Sequence, residues 1–202
     1  MFIFYKNHII IIYQTIYGMS NGTSGYLELI IGPMFSGKTT RLIDVYNTNY
    51  ANNTNSNIKV INFSADTRYH DSMLSTHDKV MIPCIFSNTI KEVCEEHMIL
   101  NYDTILINEG QFFPDLYESV CELVETHKKN VYVCGLDGDF QRNKFGKLLD
   151  LIPLCDNIIK LKAECVKCKG QAIFSKRLST EEQQIVIGSN NYAPMCRECY
   201  CN

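Results

Sequence analysis

Gly32-Pro33-Met34-Phe35-Ser36-Gly37-Lys38-Thr39 has the spacing G-x-x-x-x-G-K-S/T. Its glycines let backbone N–H groups wrap around phosphate oxygens. Lys38 would add positive charge at the outer phosphates, and the Thr39 hydroxyl would ligate Mg²⁺. The bare pattern also fits a glycine-bearing turn between strand and helix. Its surroundings decide. YLELII (26–31) is a short apolar run leading into the loop, and Leu42, Val45 and Tyr46 after it have helical spacing. A helix starting here would aim its positive dipole end at the same phosphates.

Cys165-x-x-Cys168 and Cys196-x-x-Cys199 form a second group, with 27 residues between the pairs. This is tetrathiolate spacing for a structural zinc site, whose closed coordination shell staples the chain and leaves no position for catalysis. A redox dithiol, or disulfides in a secreted chain, are the rival readings. Cys201 is a spare thiol near the second pair. Of the other cysteines, Cys94 and Cys121 fall in helix-like segments and Cys134 in a strand-like one, where lone thiols act as small packing residues. No secretory pattern accompanies them, so a reducing, cytoplasmic setting is expected.

A third group is ILINEGQFF (105–113), in which an apolar run ends in an amide, a carboxylate and a glycine. Glu109 at such a corner could orient a hydroxyl and take its proton, or it could be a solvated strand-end glutamate.

The elements that must position these groups alternate. IKVINF (58–63), KVMIPCIF (79–86), TILI (104–107) and VYVCG (131–135) read as strands. TIKEVCEEHM (89–98) and DLYESVCELVETHKK (115–129) read as helices, with Thr89/Glu92 and Asp115/Glu118 at capping-box spacing. GKLLDLIPL also reads as helical, and the Asn-rich 47–57 as an exposed loop. Such alternation predicts an α/β domain with a mostly parallel sheet over 25–162. From 163 to 202 hairpin-like strands and cysteines replace it. The chain is 46% apolar and 20% charged, with a net charge of −3, which supports a real core and provides no basic footprint for nucleic acid. Residues 1–24 read as a flexible extension, with a weak membrane contact or an added strand as the alternatives. Lys6, Asn7, His8 and Gln14 interrupt their apolar run, so no membrane span is expected.

Taken together, GPMFSGKTT, DTRY (66–69), NEGQFF (108–113), GLDGDFQR (135–142), FGKLLDLIPL (145–154), KAECVKC (162–168), SKRL (175–178), IVIG (185–188) and Tyr192 before CREC closely resemble the type II thymidine kinases, the cellular cytosolic and poxvirus-like class. The resemblance runs in order over roughly residues 26–200 and is far more specific than the phosphate loop alone. It implies a RecA-like domain, a zinc-bearing lobe whose long lasso loop covers thymidine, and transfer of the ATP γ-phosphate to the nucleoside 5′-hydroxyl. It further implies feedback inhibition by dTTP and a homotetramer. By matching position, Glu109 is the expected catalytic base. Asp66, Thr67, Arg68, Asn108 and Gln111 fall on the phosphate side. Met34, Phe112, Leu136, Phe140, Phe145, Ser175 and Tyr192 fall around the nucleoside, with Gln184, Ile185, Val186, Ile187 and Gly188 as a strand holding the base through its backbone. For Arg68 a surface arginine, and for Phe140, Phe145 and Tyr192 ordinary core packing, are the bland alternatives.

The family has Asp where this chain has Asn108. An amide oxygen can still ligate Mg²⁺ or its waters, but one negative charge is lost. Three rivals to the kinase remain on sequence alone. They are a P-loop ATPase driving a conformational change, a nucleotide sensor without turnover (which Asn108 supports), and a zinc-ribbon interaction module.

Overall fold

The computed structural model describes residues 24–51, 57–64, 73–75, 80–96, 99–186, 188 and 190–202. The expected extension up to residue 23, Asp66-Thr67-Arg68 and Ile187 lie outside them.

The strands of the larger part are β1 (Tyr26–Ile31), β2 (Ile58–Phe63), β3 (Met73–Ser75), β4 (Met81–Pro83), β5 (Ile85–Ser87), β6 (Thr104–Ile107), β7 (Asn130–Gly135) and β8 (Asn157–Lys160). Six of these form one sheet in the order β5-β2-β6-β7-β1-β8, and every neighbouring pair is parallel. The near-continuous apolar runs follow from that arrangement, because both faces of a parallel sheet are covered. Leu27, Leu29, Ile31, Ile105, Ile107, Val131 and Val133 belong to one core cluster. Ile30, Val60, Leu106, Tyr132 and Cys134 alternate onto the other, packed with Leu42, Ile43 and Val45 of helix α1 (Lys38–Ala51). Each such side chain contributes roughly 1.5–3 kcal/mol when fully buried.

Helices α2 (Ile90–Glu96) and α3 (Leu116–Cys121) cover the first face. The Thr89 hydroxyl accepts from the Glu92 N–H at 3.3 Å, half of a capping box. Asp115 behaves differently from its sequence spacing. Its carboxylate makes no cap on its own helix and instead accepts from the N–H groups of Ile90 (3.1 Å) and Lys91 (2.8 Å), capping α2 across space.

Several element assignments change. KVMIPCIF is two strands, split at Cys84. β4 pairs antiparallel with β3, and β5 is the parallel edge strand beside β2. Pro83 has no N–H to extend a ladder, which suits it to the end of β4. Residues 115–129 begin as α-helix and finish as a wider π turn over Glu122–Thr126, closed by His127 N–H on the Glu122 carbonyl at 3.0 Å. Residues 148–154 are a 3₁₀ helix containing Pro153. Residues 184–186, expected as a strand, are irregular.

Beyond β8 lie short antiparallel pairs, β9 (Ala163–Glu164) with β10 (Gln171–Ala172) and β11 (Phe174–Arg177) with β12 (Tyr192–Met195), followed by α4 (Arg197–Cys201). The buried residues here are Ala163, Cys165, Ala172, Ala193 and Met195. Three alanines bury little apolar surface, so this lobe needs a staple.

Candidate active site

The chemistry-bearing residues of the large sheet hang from the carboxyl ends of its inner strands, where open α/β sheets bind ligands. β1 runs into the glycine loop, β6 into Asn108-Glu109, and β7 into Leu136–Phe140.

In the loop, Phe35 (φ 63) and Gly37 (φ 83) both take left-handed backbone, a conformation that costs a non-glycine residue energy and clusters at functional sites. Lys38 opens α1 and is buried, its ammonium donating to the Pro33 carbonyl at 2.7 Å. Ser36 Oγ is buried without a hydrogen-bond partner among the described residues. The Met34 N–H donates to the hydroxyl of Ser175 on β11 at 2.9 Å, which ties the small lobe to the loop.

Asn108 is buried, and its contacts fix which way its amide faces. Its Nδ2 donates to Asn62 Oδ1 at 2.8 Å, while its Oδ1 accepts from Cys134 Sγ at 2.8 Å and, at 3.5 Å, from Thr39 Oγ1. Two side-chain oxygens thus converge at the start of α1. Oxygen donors are what Mg²⁺ takes, so Thr39 and Asn108 fit the ion. Asn62 was not among the sequence candidates. The only hint of it is one amide in the otherwise apolar end of IKVINF.

Glu109 also has left-handed backbone (φ 56, ψ 41), so its side chain leaves the strand direction. Gln111 holds it, with Nε2 donating to Glu109 Oε2 at 2.6 Å and Oε1 accepting from the Leu136 N–H at 2.9 Å. Two glycines make room for Gln111. A Cβ on Gly135 would stand 2.3 Å from its Oε1, and one on Gly146 (φ +58) 2.1 Å from its carbonyl oxygen. Next to it, Phe112 meets Phe145 edge-on at 5.3 Å and stacks on Phe63 at 5.2 Å. Phe63 is another residue that the sequence did not single out.

Of the other expected nucleoside contacts, Phe140, Gln184, Val186 and Tyr192 gather around a residue that was not expected, Arg177 at the end of β11. Its guanidinium lies 3.8 Å over the Phe140 ring and 5.0 Å from the Tyr192 ring. It donates to the carbonyls of Glu181, Gln183 and Gln184 and to the Tyr192 hydroxyl, which itself donates to the Val186 carbonyl at 3.2 Å. Gln184 also donates to Asp139 Oδ2 at 2.8 Å. Ile185 is 52% exposed and is not drawn into this group.

In the lobe, the four sulfurs of Cys165, Cys168, Cys196 and Cys199 lie within 4.8 Å of one another. Backbone N–H groups, at Cys196 first and Cys168 next, pull the Cys165 thiol down to about 6. Cys199 is pushed up to about 12, first by sharing a hydrogen bond with the Cys196 thiol and then by burial. One thiolate is stabilised and its neighbour resists becoming a second, which is the conflict that a dication resolves. The donor set fits Zn²⁺. The cluster belongs to the lobe, and four thiolates would close the shell of such an ion, as in structural sites.

The thymidine kinase family model matches residues 25–200. The chain is 44% identical over 178 residues to the thymidine kinase of variola virus, covering 87% of this chain and 97% of that one. It is 41% identical over 182 residues to the thymidine kinase of Yaba monkey tumor virus, covering 89% and 97%. With the cytosolic thymidine kinase of Homo sapiens it shares 38% over 184 residues, 91% of this chain and 76% of that one. A phosphate loop, a carboxylate at the end of β6, a four-cysteine lobe and a match over nearly the whole described chain agree: the chain belongs to the thymidine kinase family.

Proposed function

We propose that this chain transfers the γ-phosphate of ATP to the 5′-hydroxyl of thymidine, and of deoxyuridine, yielding the nucleoside monophosphate and ADP. The observation that supports the reading best is Glu109, turned out of its strand by left-handed backbone and aimed by Gln111. A new bond forms between the 5′-oxygen and the γ-phosphorus, and the bond from the γ-phosphorus to the β,γ-bridging oxygen breaks. The transition state of such transfers is loose, so the hydroxyl need not ionise first. Glu109 orients it and accepts its proton late, as a general base within hydrogen-bond reach.

On the ATP side, backbone N–H groups of residues 32–39 and the Lys38 ammonium bind the phosphates. Lys38 would exchange the Pro33 carbonyl for a phosphate oxygen, and Ser36 Oγ, buried without a hydrogen-bond partner among the described residues, would gain one. Mg²⁺, held by Thr39 and the Asn108 oxygen, would neutralise phosphate charge. Asp66, Thr67 and Arg68 complete this side by resemblance. Phe112 and Phe145 form one apolar wall of the nucleoside site, and Met34, Leu136, Phe140, Ser175, Tyr192 and the backbone of 184–188 complete it. Zinc holds the lobe together. Inhibition by dTTP, a homotetramer and a cytoplasmic setting rest on the resemblance. No helix among the described residues is long and apolar enough to cross a membrane.

A coupled assay of ADP release tests the reading. Thymidine-dependent ADP is expected. ADP release indifferent to nucleoside would instead support a P-loop ATPase, and ATP binding without turnover a sensor.

A further inference from the structure

Arg177 is 8% exposed, yet no carboxylate of a described residue lies within ion-pair distance of it. A buried charge needs compensation, and here it comes from three backbone carbonyls, one hydroxyl and two ring faces. The carbonyls all come from residues 181–184, which are otherwise exposed and irregular. The rings belong to rigid neighbours. Phe140 follows β7 and its carbonyl accepts from the Tyr200 hydroxyl. Tyr192 starts β12, directly opposite Arg177 in the ladder. A second tie runs from Gln184 Nε2 to Asp139 Oδ2, while Asp139 Oδ1 is fixed by the N–H groups of Gln141 (2.9 Å) and Asn143 (2.8 Å).

We infer that Arg177 is a positioning residue, a latch that holds segment 181–186 closed onto Phe140 and Tyr192 and so preforms the nucleoside side of the site. The inference rests on the thymidine kinase reading for its substrate, not for its geometry. Opening the segment would remove three acceptors from a guanidinium that has no carboxylate of a described residue within ion-pair distance to replace them. That asymmetry favours the closed arrangement before any nucleoside arrives. A planar guanidinium can sit between rings and donate in several directions at once. An ammonium has no plane to stack and only three donors, so lysine is not a conservative replacement.

The test uses the full zinc-loaded chain as wild type, Arg177→Lys and Arg177→Ala. Two measurements are made, backbone hydrogen exchange without ligand and steady-state kinetics with each substrate varied. Zinc content reports whether the lobe is intact. Both variants are expected to exchange faster over 178–190 and to raise KM for thymidine by about tenfold or more, the shift that one lost hydrogen bond to a charged group gives. KM for ATP is expected to stay near wild type, a split that general unfolding would not produce. Wild-type exchange over 178–190, or an unchanged KM for thymidine, would overturn the latch. If Arg177→Ala fails to fold, Arg177→Lys decides, because it keeps the charge and most of the volume. Absence of thymidine turnover in wild type would defeat the substrate reading, while the exchange result would still judge the latch.

Discussion

The two sides of the site are built by different means. The phosphate side grows out of β1 and β6, which are buried on both faces, and Asn108 and Glu109 leave the sheet directly after the last residue of β6. Asn108 and Glu109 are therefore placed by the same packing that makes the core. On the proposed nucleoside side, an irregular segment is pinned by side chains, above all Arg177 of the small lobe, whose apolar core is mostly alanine, and Asp139 after β7. Main-chain ladders give a fixed platform for chemistry, whereas side-chain ties can be released. A kinase needs both, because the phosphoryl groups must be held in line while a nucleoside enters and leaves.

If the comparison is right, damage to the two sides differs in kind. The largest effect on rate is expected from Glu109→Gln, which removes the base but keeps a group that Gln111 can meet. Turnover should fall by about 10²- to 10⁴-fold while ATP binding, read by titration calorimetry, survives. Stripping zinc, or Cys165→Ser, should abolish the order of the lobe, since structural zinc contributes on the order of 10 kcal/mol. Loss of one equivalent of metal, with a lowered Tm and a raised KM for thymidine, would mark it. The sheet should keep its secondary structure by circular dichroism, and simultaneous collapse of both parts would erase the distinction drawn here.

Within the sheet, Leu106→Ala should cost about 2–5 kcal/mol of unfolding free energy in denaturant titration, because Leu106 is fully buried between β2 and β7. A smaller effect is expected at Asn108. Asn108→Asp restores a negative charge beside Thr39, and the Asn62 amide can flip to donate to the new oxygen. The Mg²⁺ concentration for half-maximal rate, and for half-maximal Mg²⁺-dependent ATP affinity, should fall. Titrations identical to wild type would show that the Asn108 oxygen does not face the metal.

How much could be read in advance follows the same division. The parallel sheet was legible except for its edge strand β8, because the other strands are apolar runs broken by glycine and polar residues, and the phosphate loop was legible because its chemistry is local in sequence. The four cysteines were legible because metal spacing constrains them. Asp115 misled, since its spacing to Glu118 matches a local cap while its carboxylate serves α2 across space. The run at 79–86 misled because apolar continuity does not reveal a change of partner strand at Cys84. Arg177 and Asn62 were missed for a common reason. The partner of Asn62 lies on another strand, Arg177 bonds the carbonyls of a nearby segment that has no regular structure to signal them, and one polar residue at a strand end has no periodicity to betray it. Phe63, by contrast, stood inside a recognised strand, but only the fold brings it against Phe112.

The proposed carboxylate at the end of β6 would activate a nucleoside hydroxyl toward ATP. The most direct measurement is thymidine-dependent release of ADP by wild type and by Glu109→Gln, with ATP affinity measured on the same samples. Nucleoside-dependent turnover is expected in wild type, its near-complete loss in the variant, and equal ATP affinity in both. Near-wild-type turnover in Glu109→Gln, or ADP release that ignores thymidine, would contradict that role.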